Sequence, residues 1–90
     1  MRATHEVTHN PEAQTFEVFV DGHRAHLDYR RLNDTTLDYC HTFVPDALRG
    51  QGLAALVTAA ALDYARDNGF EVRPSCSYVA TYMQRQAGRR

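Results

Sequence analysis

The sequence predicts an α/β fold of the α+β kind, a mixed sheet with two helices in the order β-β-β-β-α-β-α. Three observations predict it. Apolar and polar residues alternate as far as Phe43, the apolar spacing lengthens to three and four after Pro45, and a short apolar run returns at Phe70 behind a glycine stop. Ninety residues with 43% hydrophobic content and a formal net charge of −1 are expected to form one globular unit, a single domain over residues 1–90.

Glu6-Val7-Thr8 is the candidate first strand. Phe16, Val18 and Val20 alternate with Glu17 and Phe19 in the second, and Asp21-Gly22 is a tight-hairpin pair. Ala25, Leu27 and Tyr29 alternate with Arg24, His26, Asp28 and Arg30, which gives a partner strand with one wet face. Asn33-Asp34 turns the chain again. In the fourth strand Leu37, Tyr39, His41 and Phe43 are expected on one face, with Asp38, Cys40 and Thr42 on the other. Leu53, Leu56, Val57, Ala60 and Tyr64 then form a helical stripe, leaving Asp63, Arg66 and Asp67 on the solvated side. Asn68-Gly69 stops the helix. Phe70 to Arg73 is a short strand, expected parallel to the one ending at Val44 because a helix crosses between them. Pro74-Ser75-Cys76 turns into a last helix over Tyr78 to Arg85.

Composition excludes several function classes. The balanced charge lacks the basic stripe of a nucleic-acid binder. No apolar run is long enough to span a membrane, and Met1-Arg2-Ala3-Thr4-His5 carries no apolar leader. Cys40 and Cys76 stand outside metal and redox spacings, so reduced thiols in a cytoplasmic protein are expected. His23 and His26, three apart on a strand, point to opposite faces, and no metal is expected. All ten basic residues are arginine; the chain has no lysine.

Leu48-Arg49-Gly50-Gln51-Gly52-Leu53-Ala54 carries the most chemical information. A strand, a glycine turn and a helix start in succession aim several backbone N–H groups and the positive end of a helix dipole at one point, a receptacle for phosphate. Gly50 and Gly52 permit positive φ and close approach of a ligand. By itself the turn fits a phosphate site and a ligand-free glycine turn equally. A Walker loop is excluded, because no Gly-Lys-Ser/Thr follows the glycines. Gly50-x-Gly52-x-x-Ala55 has the glycine spacing of a dinucleotide fingerprint, with Glu71 about 20 residues on. Glu71, however, opens its strand, whereas such ligands bind beyond the carboxyl ends, and only one crossover unit exists.

Val44-Pro45, Arg49-Gly50-Gln51-Gly52-Leu53-Ala54 and Pro74-Ser75-Cys76-Ser77-Tyr78-Val79 together resemble the minimal, YjdJ-type branch of the GCN5-related N-acetyltransferases. The similarity runs from about Phe16 to Tyr82. Arg49-x-x-Gly52-x-Ala54 matches that superfamily's acetyl-CoA loop, Gln/Arg-x-x-Gly-x-Gly/Ala, with His41-Thr42 before it and the Pro-Ser-Cys segment after it. The resemblance implies a small mixed sheet whose two parallel strands, the one ending at Val44 and the one at Phe70, splay apart. Pantetheine would lie in the gap against the edge near Phe43 and Val44. The pyrophosphate would rest on the amides of Arg49, Gly50, Gln51, Gly52, Leu53 and Ala54.

The implied activity is acetyl transfer from acetyl-CoA to an exposed amine, on a small molecule or a protein, by a monomer or weak dimer. The reaction needs an unprotonated amine, a stabilised thioester oxyanion and a proton for the departing thiolate. Backbone N–H groups at Phe43 or Val44 are candidates for the oxyanion. Relatives often carry Glu just before Val-Pro, where this chain has Phe43, and His41 is the nearest alternative base. The resemblance places a functional cysteine at Cys76, where a helix start would favour thiolate. Its open roles are acyl acceptor, proton shuttle and packing. Tyr78 and Tyr82 are candidate proton donors or core residues, Cys40 reads as packing, and Arg85 or the terminal arginines are candidates for the ribose phosphate. The alternative function is a non-catalytic acyl-CoA-binding or interaction module, which the loss of the usual Glu favours.

Overall fold

Five strands lie side by side in their chain order, β1 (Thr8–Asn10), β2 (Thr15–Val20), β3 (His23–Asn33), β4 (Thr36–Phe43) and β5 (Glu71–Arg73). The first four run antiparallel, and β5 joins β4 in parallel after the crossover helix α1 (Leu53–Asp67); α2 (Ser77–Ala87) follows. This is the mixed sheet and element order that the periodicity predicts. The computed structural model describes residues 5–88, so Met1 to Thr4, the first residues of the stretch expected to carry no leader, and the terminal Arg89 and Arg90 lie outside the described residues. No helix among them is long and apolar enough to cross a membrane.

Turn chemistry sets the first hairpin. Asp21 and Gly22 both have positive φ, 52° and 80°, so β2 and β3 pair from Val20 opposite His23 with no slack. The first strand starts later than the sequence suggests, at Thr8 instead of Glu6. Its register is set by aromatic packing rather than by Val7. The His9 ring stacks on Phe16 at 4.2 Å, meets the edge of Tyr64 at 4.4 Å, and brings Nε2 within 2.6 Å of Tyr29 Oη.

The fourth strand departs most from expectation. Tyr29 faces Tyr39 but Asp28 faces His41, one step on β3 against two on β4, so Cys40 is the extra residue of a bulge. Leu37 and Tyr39 are buried as expected, but beyond Cys40 the alternation inverts. His41 and Phe43 do not share the Leu37–Tyr39 face. They stand on the opposite face beside His26, at ring distances of 5.9 and 5.7 Å.

Helix α1 buries Leu53, Val57, Ala61 and Ala65, a line at spacing four, with Thr58 beside it. The stripe is thus rotated from the one expected: Leu56, Ala60 and Tyr64 flank it, because the small alanines let the helix axis approach the sheet. Tyr39 Oη donates to the Ala61 carbonyl and ties α1 to β4, and burial pushes that phenol's pKa up. Gly69, at φ 76°, turns the chain out of α1. The last helix outruns its expected bounds by one residue at the start and two at the end. Its Val79 joins the core formed by α1 and the inward residues of β2, β3 and β4. Both helices therefore cover one face. The other, which carries Glu17, Phe19, Arg24, His26 and Asp28, has no helix over it among the described residues, and Phe19 is 60% exposed.

Burial disfavours the charged ring of His9 and lowers its pKa below the ordinary 6.5. The fold thus binds the neutral form preferentially, so its contribution is complete above about pH 6.5 and is lost as pH falls through the lower folded value. Thermal unfolding between pH 7.5 and 5 should cost the wild type more in Tm than a His9→Phe variant. Parallel Tm curves would show that His9 titration is not coupled to folding.

Candidate functional site

The site is built where β4 leaves its neighbour. Pairing between β4 and β5 covers only Thr36 to Asp38 against Glu71 to Arg73. Ser75 N–H then donates to Asp38 Oδ1 at 3.3 Å, and Cys76 N–H to the Tyr39 carbonyl at 3.0 Å. Past that bond the backbone from Cys40 to Phe43 has no ladder partner from β5 among the described residues. The two strands splay, as expected, and a backbone edge is left open.

Val44-Pro45 carries the chain from this edge into a single 3-10 turn, Asp46–Leu48, closed by Leu48 N–H to the Pro45 carbonyl at 2.9 Å. Buried Leu48 pins the turn to the core. Gly50 and Gly52 follow with φ of 84° and 74°, and Gly52 occupies the position just before α1. A Cβ at either glycine would meet nothing within 4 Å. Backbone conformation, and not crowding, therefore demands glycine, and the space before the turn is open. No side chain caps α1, so its first N–H groups face that space unclaimed by any cap.

A cleft of about 290 Å³ opens on this turn. Among the expected cofactor residues, Val44, Arg49, Gly50, Gly52, Leu53 and Ala54 line it, joined by Tyr78. Gln51 sits exposed on the turn, outside the cleft wall, and the Phe43 side chain points to the far face of the sheet. Arg49 lies across the mouth, its Nε 3.4 Å from the Val44 carbonyl and 3.2 Å from Asp46 Oδ1. A second cleft of about 610 Å³ shares Ala55 and Tyr78 and runs on past Tyr82 and Arg85.

Cys76 occupies the position before α2, with Sγ 3.5 Å from Thr42 Oγ1. Burial pushes the thiol's pKa up, but hydrogen bonds from the Thr42 hydroxyl and from backbone N–H groups of Val79, Tyr78 and Thr42 outweigh it, and the net shift is downward. Tyr78 shifts the other way, chiefly through burial and then through its neighbour Tyr82, against a smaller opposing effect of Arg85. A tyrosine so shifted keeps its proton at neutral pH.

The gap thus gathers Val44, the glycine turn, Thr42, Cys76 and Tyr78, but not His41, which the bulge turns to the opposite face. Thr42 as the partner of Cys76 was not legible, because regular alternation places it away from the core. On the far face His26 Nδ1 lies 3.0 Å from Asp28 Oδ1, a pair whose signal in the sequence is its two-residue spacing on one strand face. Cys40 is half-buried with Sγ 3.5 Å from the Asp28 carbonyl, and both cysteines are free. Among the described residues no three His, Cys, Asp or Glu side chains gather into a metal site.

The comparisons agree with this fold. A family model described as GCN5-related N-acetyl-transferase matches residues 15–88. Protein NATD1 of Xenopus tropicalis is 34% identical over 80 residues, covering 87% of this chain and 73% of that protein. The human Protein NATD1 is 34% identical over 80 residues, with 87% and 71% covered. The solution structure of a GCN5-like protein from Staphylococcus aureus superposes with a TM-score of 0.70 at 25% identity, over 90% of this chain and 79% of that one.

With its pKa lowered by these hydrogen bonds, Cys76 should ionise at a lower pH than an ordinary thiol. Alkylation by iodoacetamide, followed by mass spectrometry, should therefore accelerate at lower pH for Cys76 than for a cysteine peptide. Thr42→Val should move the profile back toward the peptide's. Coincident profiles for protein and peptide would mean that the hydrogen bonds do not outweigh burial.

Proposed function

We propose that this chain, which belongs to the GCN5-related N-acetyltransferases, binds acetyl-CoA and transfers its acetyl group to an exposed amine on a small molecule or a protein. One observation carries the reading. An uncapped helix start behind two positive-φ glycines opens on a cleft lined by Val44, just past the unpaired edge of β4, and by Tyr78, two residues beyond Cys76.

The roles follow from what each group can do. The N–H groups from Gly50 to Ala54 take the pyrophosphate, where the helix dipole and open backbone donors favour negative charge, whereas the Arg49 N–H, expected among them, is already given to the Asp46 carbonyl at 3.2 Å. Pantetheine extends along β4 as an added strand, its amides meeting the edge beyond Tyr39. The thioester carbonyl then lies within reach of N–H donors at Phe43 or Val44. A donor at a developing oxyanion contributes about 10²–10³ in rate. Cys76 lies beside the sulfur, and Tyr78 keeps a proton available for the departing thiolate. The second cleft, with Arg85, takes the nucleotide end. Two free, half-buried thiols support a reducing, cytoplasmic setting.

A second reading, a binding module without turnover, is favoured by one observation. The strand end carries Phe43 and no carboxylate, and His41 faces away from the gap. Turnover of acetyl-CoA with an amine separates the two, because both bind the cofactor.

Isothermal titration should find coenzyme A bound more tightly than pantetheine lacking the nucleotide. Gly52→Asp, which sets a carboxylate among the pyrophosphate donors on a backbone at φ 74°, should weaken binding at least about tenfold, a change of about 1.4 kcal/mol. Equal affinity for both ligands, or an undiminished Gly52→Asp variant, would remove the pyrophosphate anchor.

Cys76→Ser keeps size and a hydrogen-bonding group, so stability should change by no more than about 1–2 kcal/mol. Coenzyme A affinity should persist because the phosphate anchor is elsewhere. Transfer should fall at least about tenfold, a barrier change of about 1.4 kcal/mol. Full transfer by the serine variant, measured as free thiol released with a turned-over amine, would leave Cys76 a packing residue.

A further inference from the structure

We infer that the acceptor amine is deprotonated by His26, on the sheet face that no helix covers among the described residues, with Asp28 and Thr15 holding its ring. The inference rests on the acetyl-transfer reading above and supplies the base that reading lacks.

His26 alternates with Ala25 and Leu27, both fully buried, so its side chain stands on the open face. Asp28, two residues on, shares that face, and its Oδ1 lies 3.0 Å from His26 Nδ1. The same oxygen accepts the Thr15 hydroxyl at 2.7 Å from the register partner on β2, and Thr15 is buried. A carboxylate can only accept, so Nδ1 carries the ring's proton and donates it to Asp28. That leaves Nε2 with its lone pair free, the tautomer a general base requires. The carboxylate also steadies the imidazolium once the proton has been taken.

The position fits the reaction. His26 is the register partner of Phe43, the last residue of β4 before Val44 and the open edge. Directly opposite residues on neighbouring antiparallel strands hold their Cβ atoms about 4.5–5.5 Å apart, so the imidazole is one strand from the expected thioester carbonyl. The rings of Phe43 and His41 cover it at 5.7 and 5.9 Å, and its side chain is 16% exposed. Of the charged groups around it, Glu17 on β2 is tied to Arg24 Nε at 2.5 Å, which leaves Asp28 as the carboxylate that addresses the ring. His41, the register partner of Asp28, makes no hydrogen bond among the described residues, so nothing fixes its tautomer.

The proton traffic balances. An ammonium acceptor gives one proton to His26 Nε2, and the freed nitrogen attacks the thioester carbon. The C–N bond forms and the C–S bond breaks, its electron pair leaving on sulfur. The second proton lost by the nitrogen ends on the coenzyme A thiol, and His26 returns the first to water. The first proton is thus taken and released on the open face, and the second reaches sulfur on the helix side, where Tyr78 and Cys76 lie.

The test is the pH dependence of kcat/KM for acetylation of a panel of primary amines and amine-bearing peptides, with acetyl-CoA affinity measured by titration. His26→Gln should bind acetyl-CoA as the wild type does and lose about 100-fold in kcat/KM at pH 7. It should recover as pH approaches about 10.4, where the amine sheds its own proton. Asp28→Asn should displace the acid limb of the profile with KM for acetyl-CoA unchanged. A wild-type rate and profile in His26→Gln would overturn the assignment and leave acetyl transfer standing. A wild-type protein that binds acetyl-CoA and acetylates no amine would overturn both. Nitrogen NMR of the unaltered protein gives a reading that does not depend on a variant: a neutral His26 protonated on Nδ1 supports the assignment, and one protonated on Nε2 overturns it.

Discussion

The site depends on one constraint: β5 stops while β4 runs on. Pro74 has no N–H to donate and its ring cannot continue a ladder, so the parallel pairing ends at Arg73. Two bonds then fasten the departing chain, from Ser75 N–H to the Asp38 carboxylate and from Cys76 N–H to the Tyr39 carbonyl. They place Cys76 beside Thr42 and start α2 away from the sheet. Had β5 followed β4 to Phe43, no backbone donors would face outward and no cleft would open before Gly50. An unpaired edge is ordinarily a liability that proteins cover or interrupt. In this chain the edge is short, bulged at Cys40 and terminated by Pro45, which limits it to a ligand about one extended strand long.

The bulge at Cys40 makes the second division. A single inserted residue inverts the order of inward and outward side chains for the rest of a strand. Thr42 thereby reaches Cys76 across the gap, while His41 and Phe43 join His26 on the open face. One residue thus separates groups suited to holding the cofactor from groups suited to meeting an acceptor. A regular β4 would turn Thr42 away from the thiol and remove the first hydrogen bond that favours its charged form.

Local chemistry explains what was legible in the sequence. Asp21-Gly22 and the two glycines of the Arg49–Ala54 turn were read correctly because positive φ is a property of the residue itself. The crossover helix and the parallel fifth strand followed from a change of period that needs no tertiary knowledge. Three features were not legible, and each is decided by distant contacts. The first strand begins at Thr8 because His9 finds Phe16, Tyr29 and Tyr64, residues spread over the whole chain. The buried line of α1 passes through Ala61 and Ala65 because the sheet accepts a close approach there. The bulge leaves no mark in Asp38-Tyr39-Cys40-His41, whose alternation looks regular, and so His41 was assigned to the wrong face.

The cations of this chain suit the chemistry proposed for it. All ten basic side chains are arginine. A guanidinium stays protonated and is a poor nucleophile, whereas a lysine near a general base and a bound thioester is itself an acceptor. Arg24 lies on the open face beside the Thr15–Asp28–His26 group, tied to Glu17 and 3.5 Å from the Thr15 hydroxyl. There it supplies positive charge and hydrogen bonds without competing for the acetyl group. Under the proposed reaction, a lysine in its place would set a competing primary amine on the face that carries His26. The absence of lysine thus leaves Cys76 as the soft nucleophile of the gap, and it confines amine chemistry within residues 5–88 to whatever the acceptor brings.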